Sequence, residues 1–295
     1  MQSFKKKILI TGGAGFVGTN LIKFFINKTN YNIISIDNYS SGSKKNHIKS
    51  KRVKYINADT ANIFKVIKNP KIIKAVFHFG EFARIYQSFL KMNECIHSNS
   101  VGSNAIFNFC LKNKIKLIYS ATSASLGNRG NDKNLSPYAF TKAKNLELLE
   151  NLKKWFNFKY EVIYFYNVYG PHQISTGQMA TVIGIFEHCY KFRKPLPVVR
   201  PGTQTRRFTH IQDTVEVCHL AWKKNLCRHY SIANHKSYSL IDVAKMFNTK
   251  IKYLPKRPGE RYASALTNIN LTNKVYKYFG KISLKNYIKK FIQNL

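Results

Sequence analysis

Tyr138 and Lys142 stand four residues apart behind Ser136-Pro137, at the head of a segment whose pattern predicts a helix over Pro137–Phe156. Proline suits the first turn of a helix, and residues at i and i+4 share one helix face, so the phenol and the ammonium lie together. A free tyrosine titrates near ~10. A neighbouring ammonium favours the phenolate and moves it towards a useful general base. Tyr-x-x-x-Lys arises often by chance, but here a strand-like run, Lys116–Ala121, precedes it and ends in Ser120-Ala121-Thr122-Ser123. Those hydroxyls fall at the carboxyl edge of a sheet, where doubly wound folds place their ligands.

A second constellation opens the chain. Strand Ile8-Leu9-Ile10 runs into Thr11-Gly12-Gly13-Ala14-Gly15-Phe16-Val17-Gly18 and then a helical pattern. Gly12 permits a sharp turn, Gly15 lets the backbone approach a pyrophosphate, and Gly18 lets the helix pack on the sheet. Phe16 and Val17 start the helix, whose free N–H groups face the phosphates. Asp37 ends the next apolar run, about twenty residues on, where a carboxylate accepts hydrogen bonds from the adenosine ribose hydroxyls and repels a 2′-phosphate. The expected cofactor is therefore NAD, with Lys44 and Lys45 close enough to soften the discrimination. Asp59 is placed to meet the adenine amino group. A cationic nicotinamide near Tyr138 would favour the phenolate further.

The elements that must position these groups alternate along the chain. Strands are expected at Lys7–Thr11, Asn32–Asp37, Val53–Asn57, Ile73–Phe79, Lys116–Ala121 and Glu161–Tyr166, and helices at Phe16–Asn27, Met92–Asn113 and Pro137–Phe156. Continuous Val/Ile/Leu/Phe strands separated by helices specify a parallel sheet buried on both faces, an α/β doubly wound fold of the Rossmann type. The rhythm breaks after Gly170-Pro171. The expected division is a cofactor-binding domain over 1–170, with a possible returning strand near 209–233 (Tyr230–Ala233), and a smaller mixed α/β substrate domain over 171–295. That second domain should carry helices near Gln178–Phe192, Leu240–Phe247 and Leu284–Leu295.

Composition narrows the class. Of 295 residues, 44% are hydrophobic and 21% charged, as in ordinary globular chains. The net charge of +36 is far above the usual ~2–8 for a small domain. The excess is mostly lysine spread over the whole chain, and its densest cluster, Lys44-Lys45 to Lys54, is not interleaved with aromatics as a stacking platform would be, so nucleic-acid binding is not expected. It should still attract phosphorylated substrates and make their association salt-dependent. Five cysteines without Cys-x-x-Cys spacing read as free, mostly buried thiols. No histidine pattern has metal-ligand spacing, and His78 reads as structural. No apolar run has membrane-spanning length, and Met1–Lys7 lacks a secretion segment, so a cytoplasmic location is expected.

With these motifs in place the chain resembles the extended short-chain dehydrogenase/reductases of the nucleotide-sugar epimerase/dehydratase family, in the layout of the UDP-glucose 4-epimerases. The likeness runs through TGGAGFVG, Asp37–Gly42, Ala58-Asp59, His78-Phe79-Gly80, Asn99–Gly102, YAFTK, Tyr166–Pro171, Gln204–Phe208 and Arg257-Pro258-Gly259-Glu260. It implies that Tyr138 removes a sugar hydroxyl proton. Lys142 would hold the nicotinamide ribose and lower the tyrosine pKa, and Thr122, or failing that Ser123, would hydrogen-bond the same hydroxyl. It adds Asn38, Thr60, Phe79, Gly80 and Asn99 to the cofactor site. Asn167, Arg206 and Arg257 would hold a nucleotide diphosphate-sugar, a task suited to arginine's planar fork. A homodimer through the helices of Met92–Asn113 and Pro137–Phe156 is a further implication.

Three departures bear on the reaction. Ser123-Ala124 stands where dehydratases carry Asp-Glu, which argues against 4,6-dehydration. Glu81 and Arg84 replace small or neutral residues, and either pair with each other or reshape the sugar pocket. Arg207 replaces an acid. The expected activity is an NAD-dependent 4-epimerase of a UDP-hexose. A 4-keto reductase of the same fold and a non-catalytic binding protein are the alternatives. The sugar itself should be set by loops such as Gly127–Leu135 and His172–Met179.

Overall fold

The computed structural model describes residues 6–125, 133–259 and 275–295. Six strands, β1 (Lys7–Thr11), β2 (Asn32–Asp37), β3 (Val53–Asn57), β4 (Ile73–His78), β5 (Lys116–Thr122) and β6 (Tyr160–Phe165), match the expected runs to within one residue at each end. They form one parallel sheet in the order β3, β2, β1, β4, β5, β6, extended by strands His229–Ala233 and Val275–Phe279. Strand order reverses between β1 and β4, and the carboxyl ends of those two strands flank the crevice in which such folds bind ligands.

The alternation of side chains along a strand feeds two cores. Leu9, Val76, Tyr119 and Val162 point to one face, covered by Ile106, Phe107 and Leu149 from helices Ser103–Lys112 and Pro137–Phe156. Ile8, Ile10, Phe77 and Ile163 point to the other, covered by Leu21 and Phe25 of α1 (Phe16–Lys28) and by Val215 and Cys218 of helix Ile211–Lys224. Burial on both faces is why these strands read as unbroken apolar runs.

Three elements differ from the sequence reading. Within 209–233 the expected returning strand Tyr230–Ala233 does join the sheet, as His229–Ala233, but a helix that was not expected, Ile211–Lys224, precedes it. Ile211, Val215 and Cys218 recur at helical spacing and are buried. Met92–Asn113 is not one helix: helices Met92–Ile96 and Ser103–Lys112 are joined by a π-helical turn, His97–Gly102. Such turns concentrate at functional sites. Finally, strand Val275–Phe279 adds an edge that the sequence did not announce.

Outside the sheet, helices Val182–Lys191, Leu240–Lys245 and Leu284–Gln293 pack with the paired strands Leu196–Val199 and Ile251–Leu254 around Phe186, Val198, Val243 and Phe247. All five cysteines are free, with Cys95, Cys110 and Cys218 buried and Cys189 and Cys227 half-buried. Among the described residues no helix is long and apolar enough to cross a membrane.

Candidate active site

The glycine turn is built by three glycines with separate reasons. Gly12 has φ +71° and lies so close to β4's exit that a Cβ there would meet the Phe79 carbonyl at 2.8 Å. A Cβ on Gly18 would lie 2.1 Å from Gly12 O. At Gly15 the nearest atom to a Cβ would be Gly12 O at 3.2 Å, with nothing else within 4 Å. Gly12 and Gly18 therefore fold the turn, and Gly15 keeps its cleft side open. The residue capping α1 is Gly15 itself, and no side chain occupies the helix start, so its first N–H groups are available to an anion.

A cleft of about 430 Å³ runs from this turn along the carboxyl edge of the sheet. Gly12, Gly15, Phe16, Val17, Gly18, Asp37, Asn38, Asp59, Thr60, Phe79 and Gly80 line one end, and Thr122, Ser123, Tyr138 and Lys142 the other. Asp37 accepts hydrogen bonds from Ala14 N (2.9 Å) and Tyr39 N (2.8 Å), which tie it to the turn. Burial raises its pKa, against the pull of those N–H groups. Asp59 caps a short turn through Ala61 N (2.8 Å) and accepts from Asn38 Nδ2 (3.1 Å). Asn99 does not reach the cleft. It is fully buried, its Oδ1 accepting from Phe82 N (2.7 Å) and its Nδ2 donating to Phe82 O (3.0 Å). Its work is to brace the chain that follows β4.

At the far end Ser136 caps helix Pro137–Phe156 through Ala139 N (3.1 Å), and Tyr138 N donates to Ser88 Oγ (3.2 Å). These bonds fix the first turn and aim Tyr138 at the edge of β5. Thr122 donates a hydrogen bond to the Tyr138 phenol, which favours the phenolate, and Thr122 Oγ1 accepts from Ala124 N (3.1 Å). Yet burial pushes Tyr138 up to about 12 and the Glu81 carboxylate adds to this, while Thr122 and the Arg84 cation draw it down. Lys142, expected to lower it, is not a bare cation here. Its ammonium donates to Ser120 O (2.6 Å) and pairs with Glu81 Oε2. Burial lowers the Lys142 pKa and Glu81 opposes that fall.

Glu81 and Arg84 do not pair with each other. Arg84 lines the cleft and donates through Nε to Met179 O (2.9 Å) and through Nη1 to Ala83 O (2.7 Å). Glu81 turns the other way, into a set of donors supplied by Ser103, Tyr119, Asn145 and Lys142. Only the last of these was singled out in the sequence. Asn145 was findable, because it is three residues past Lys142 and seven past Tyr138 and shares their helix face.

Among the remaining expected substrate contacts, Arg206 and Asn167 line the cleft. Asn167 takes φ +35° and donates to Arg207 O (2.9 Å), while the Arg207 side chain reaches Asn234 O (2.9 Å). Arg257 stands outside the lining and stacks over Tyr86 at 5.1 Å. Glu260 and residues 127–132 of the Gly127–Leu135 loop lie outside the described residues. His78 is structural in its placement, fully buried between Thr11 and Ser103.

Known proteins resemble the chain over most of its length. A putative UDP-glucose 4-epimerase of Methanocaldococcus jannaschii is 27% identical over 97% of both chains. The ADP-L-glycero-D-manno-heptose-6-epimerase of Brachyspira hyodysenteriae is 29% identical over 81% of this chain and 79% of its own. The solved structure of a UDP-N-acetylglucosamine 4-epimerase from Methanobrevibacter ruminantium, in complex with UDP-N-acetylmuramic acid, superposes with a TM-score of 0.83 at 25% identity, covering 99% of each chain. Residues 8–233 match the model of one family, and they carry the glycine turn, the acidic residues of the cleft and the Tyr138–Lys142 pair. The chain belongs to the NAD dependent epimerase/dehydratase family.

Proposed function

We propose that the protein inverts C4 of a nucleotide diphosphate-sugar, a UDP-hexose by preference, with NAD as its resident cofactor. The observation that carries the reading is the hydrogen-bonded Thr122–Tyr138 pair in the cleft, followed by Ser123 and Ala124 where elimination of water would need acids. Among the described residues, apart from Glu81, which its own donors engage, the acids lining the cleft are Asp37 and Asp59 at the glycine-turn end.

The cleft fits the cofactor. Gly15 leaves room for a pyrophosphate at the start of α1, and Asp37 stands where the adenosine ribose hydroxyls would need acceptors. An ammonium has three N–H donors. Glu81 and Ser120 O use two of Lys142's, leaving one for a nicotinamide ribose hydroxyl. When bound, NAD would supply a hydride acceptor for the sugar's C4 and the donor for the return, which would make a 4-keto sugar transient and leave the cofactor unconsumed.

Tyr138 takes the C4 hydroxyl proton and gives it back, and Thr122 orients that hydroxyl. Arg206 grips the diphosphate, with Asn167 beside it. Arg84, tied to the His172–Met179 loop through Met179 O, bounds the sugar pocket. The test is interconversion of UDP-glucose and UDP-galactose by the NAD-loaded protein. Tyr138→Phe should abolish turnover while NAD still co-purifies. Full activity in that variant would end the reading.

A further inference from the structure

Among the described residues, Glu81 is the one buried acid of the cleft that the reaction does not use. Its side chain is 2% exposed and that of Lys142 4%. Oε1 accepts from Ser103 Oγ (2.8 Å), Tyr119 OH (3.0 Å) and Asn145 Nδ2 (3.2 Å), and Oε2 from Lys142. These four donors come from three elements: the helix after the π turn, β5, and helix Pro137–Phe156, which supplies two. A buried ion pair is weak evidence for stability, since desolvation offsets its attraction.

The bonding continues behind Glu81 in one direction. Burial pushes the His78 imidazole down to about 4, so it is neutral. Because Ser103 donates to Glu81, its Oγ accepts from His78 Nε2 (3.0 Å). His78 Nδ1 then accepts from Thr11 Oγ1 (2.7 Å), which itself accepts from Phe79 N (3.1 Å) and Gly80 N (3.0 Å). This tautomer is assigned from the partners. Every donor in the chain points towards the carboxylate, and such chains polarise cooperatively. The chain begins at the backbone where β4 meets the glycine turn and ends on the ammonium that shares a helix face with Tyr138.

The groups that act on Tyr138 come from several elements around it: Glu81 and Arg84 after β4, Cys95 on helix Met92–Ile96, and Thr122 and Tyr119 on β5, while Lys142 lies four residues on along its own helix. We propose that Glu81 is a positioning residue. It fixes the Lys142 ammonium against Ser120 O, with one N–H left for a ribose hydroxyl, and cancels its charge so that Tyr138 stays protonated until positive charge enters the cleft. The proposal rests on Tyr138 as the proton-transfer group of the reading above, but its test needs no turnover.

The experiment is an NMR titration of protein labelled with 13Cζ-tyrosine, with and without NAD, in which the Tyr138 resonance is the one lost in Tyr138→Phe. In Glu81→Gln the Tyr138 midpoint should fall by roughly one pH unit or more relative to wild type, since a negative charge is removed and Lys142 is left uncompensated. NAD should lower the midpoint more in wild type than in the variant. Glu81→Asp keeps the charge but draws it back from Lys142, and should give a smaller shift in the same direction. It decides the matter by the same criterion if Glu81→Gln does not fold. A midpoint within about 0.3 of a unit of wild type in the deciding variant overturns the proposal. Failure of the epimerase reading would appear separately, as wild type that does not invert C4 while the titration difference stands.

Discussion

Gly15→Ala and Gly18→Ala place the same methyl group three residues apart and should damage different properties. At Gly18 the new Cβ would sit 2.1 Å from Gly12 O and 2.7 Å from Gly13 Cα, both backbone atoms of the turn. Neither atom can move without shifting the β1–α1 connection, so α1 must lift from the sheet. Overpacking of this kind costs roughly 1–3 kcal/mol or more, or roughly 2–10 °C in melting temperature for a chain of this size. At Gly15 the nearest atom is 3.2 Å away and φ is −84°, so the fold should tolerate the methyl. What it fills is the approach of the pyrophosphate, and NAD affinity should fall at least ~10-fold, about 1.4 kcal/mol. Thermal melts of NAD-free protein and NAD titration by fluorescence separate the two. Wild-type NAD affinity in Gly15→Ala, or a wild-type melt in Gly18→Ala, would refute the division of roles.

Three other outcomes follow from the geometry. Thr122→Val removes a hydrogen bond to the ionised form of Tyr138, worth ~1.5–3 kcal/mol. kcat should fall roughly 10- to 100-fold with KM little changed, and the acid limb of the pH–rate profile should move up. His78 has a native pKa of about 4, below its unfolded value of 6.5, so its contribution is complete above pH 6.5 and lost as pH falls towards 4. Urea unfolding should show about 3 kcal/mol of that loss, and His78→Asn should flatten the slope across that window. Exposed Met92, Ile96, Val101 and Phe140 lie on and between the helices from Met92 to Lys112 and Pro137 to Phe156. We propose that this face pairs two copies. Light scattering should give a dimer that Phe140→Glu weakens, and a monomer in wild type at micromolar concentration would contradict it.

The parts legible in the sequence were those whose causes are local. Strand bounds follow from apolar runs that two cores demand, and the glycine turn from spacing between a strand and a helix. Of the two readings open for Glu81, the pair with Arg84 that proximity in sequence suggests is not the one the structure holds. The actual donors to Glu81, Ser103, Tyr119 and Asn145, come from elements 22 to 64 residues away, and no local pattern announces them. Asn99 was assigned to the cofactor by its motif, but the π turn that carries it rotates its amide onto the Phe82 backbone. Arg257 has a motif position too, yet stacks on Tyr86. Helix Ile211–Lys224 does carry local signals, since His210 caps it and Asp213 sits in its first turn.

The central claim is hydride removal and return at one carbon. UDP-glucose carrying deuterium at C4, incubated with the NAD-loaded protein and followed by NMR, tests it most directly. The account predicts an inverted sugar with deuterium still at C4 and no requirement for fresh cofactor in each turnover. Deuterium appearing at C6 of a dehydrated sugar, or a product formed only with stoichiometric reduced cofactor, would contradict it.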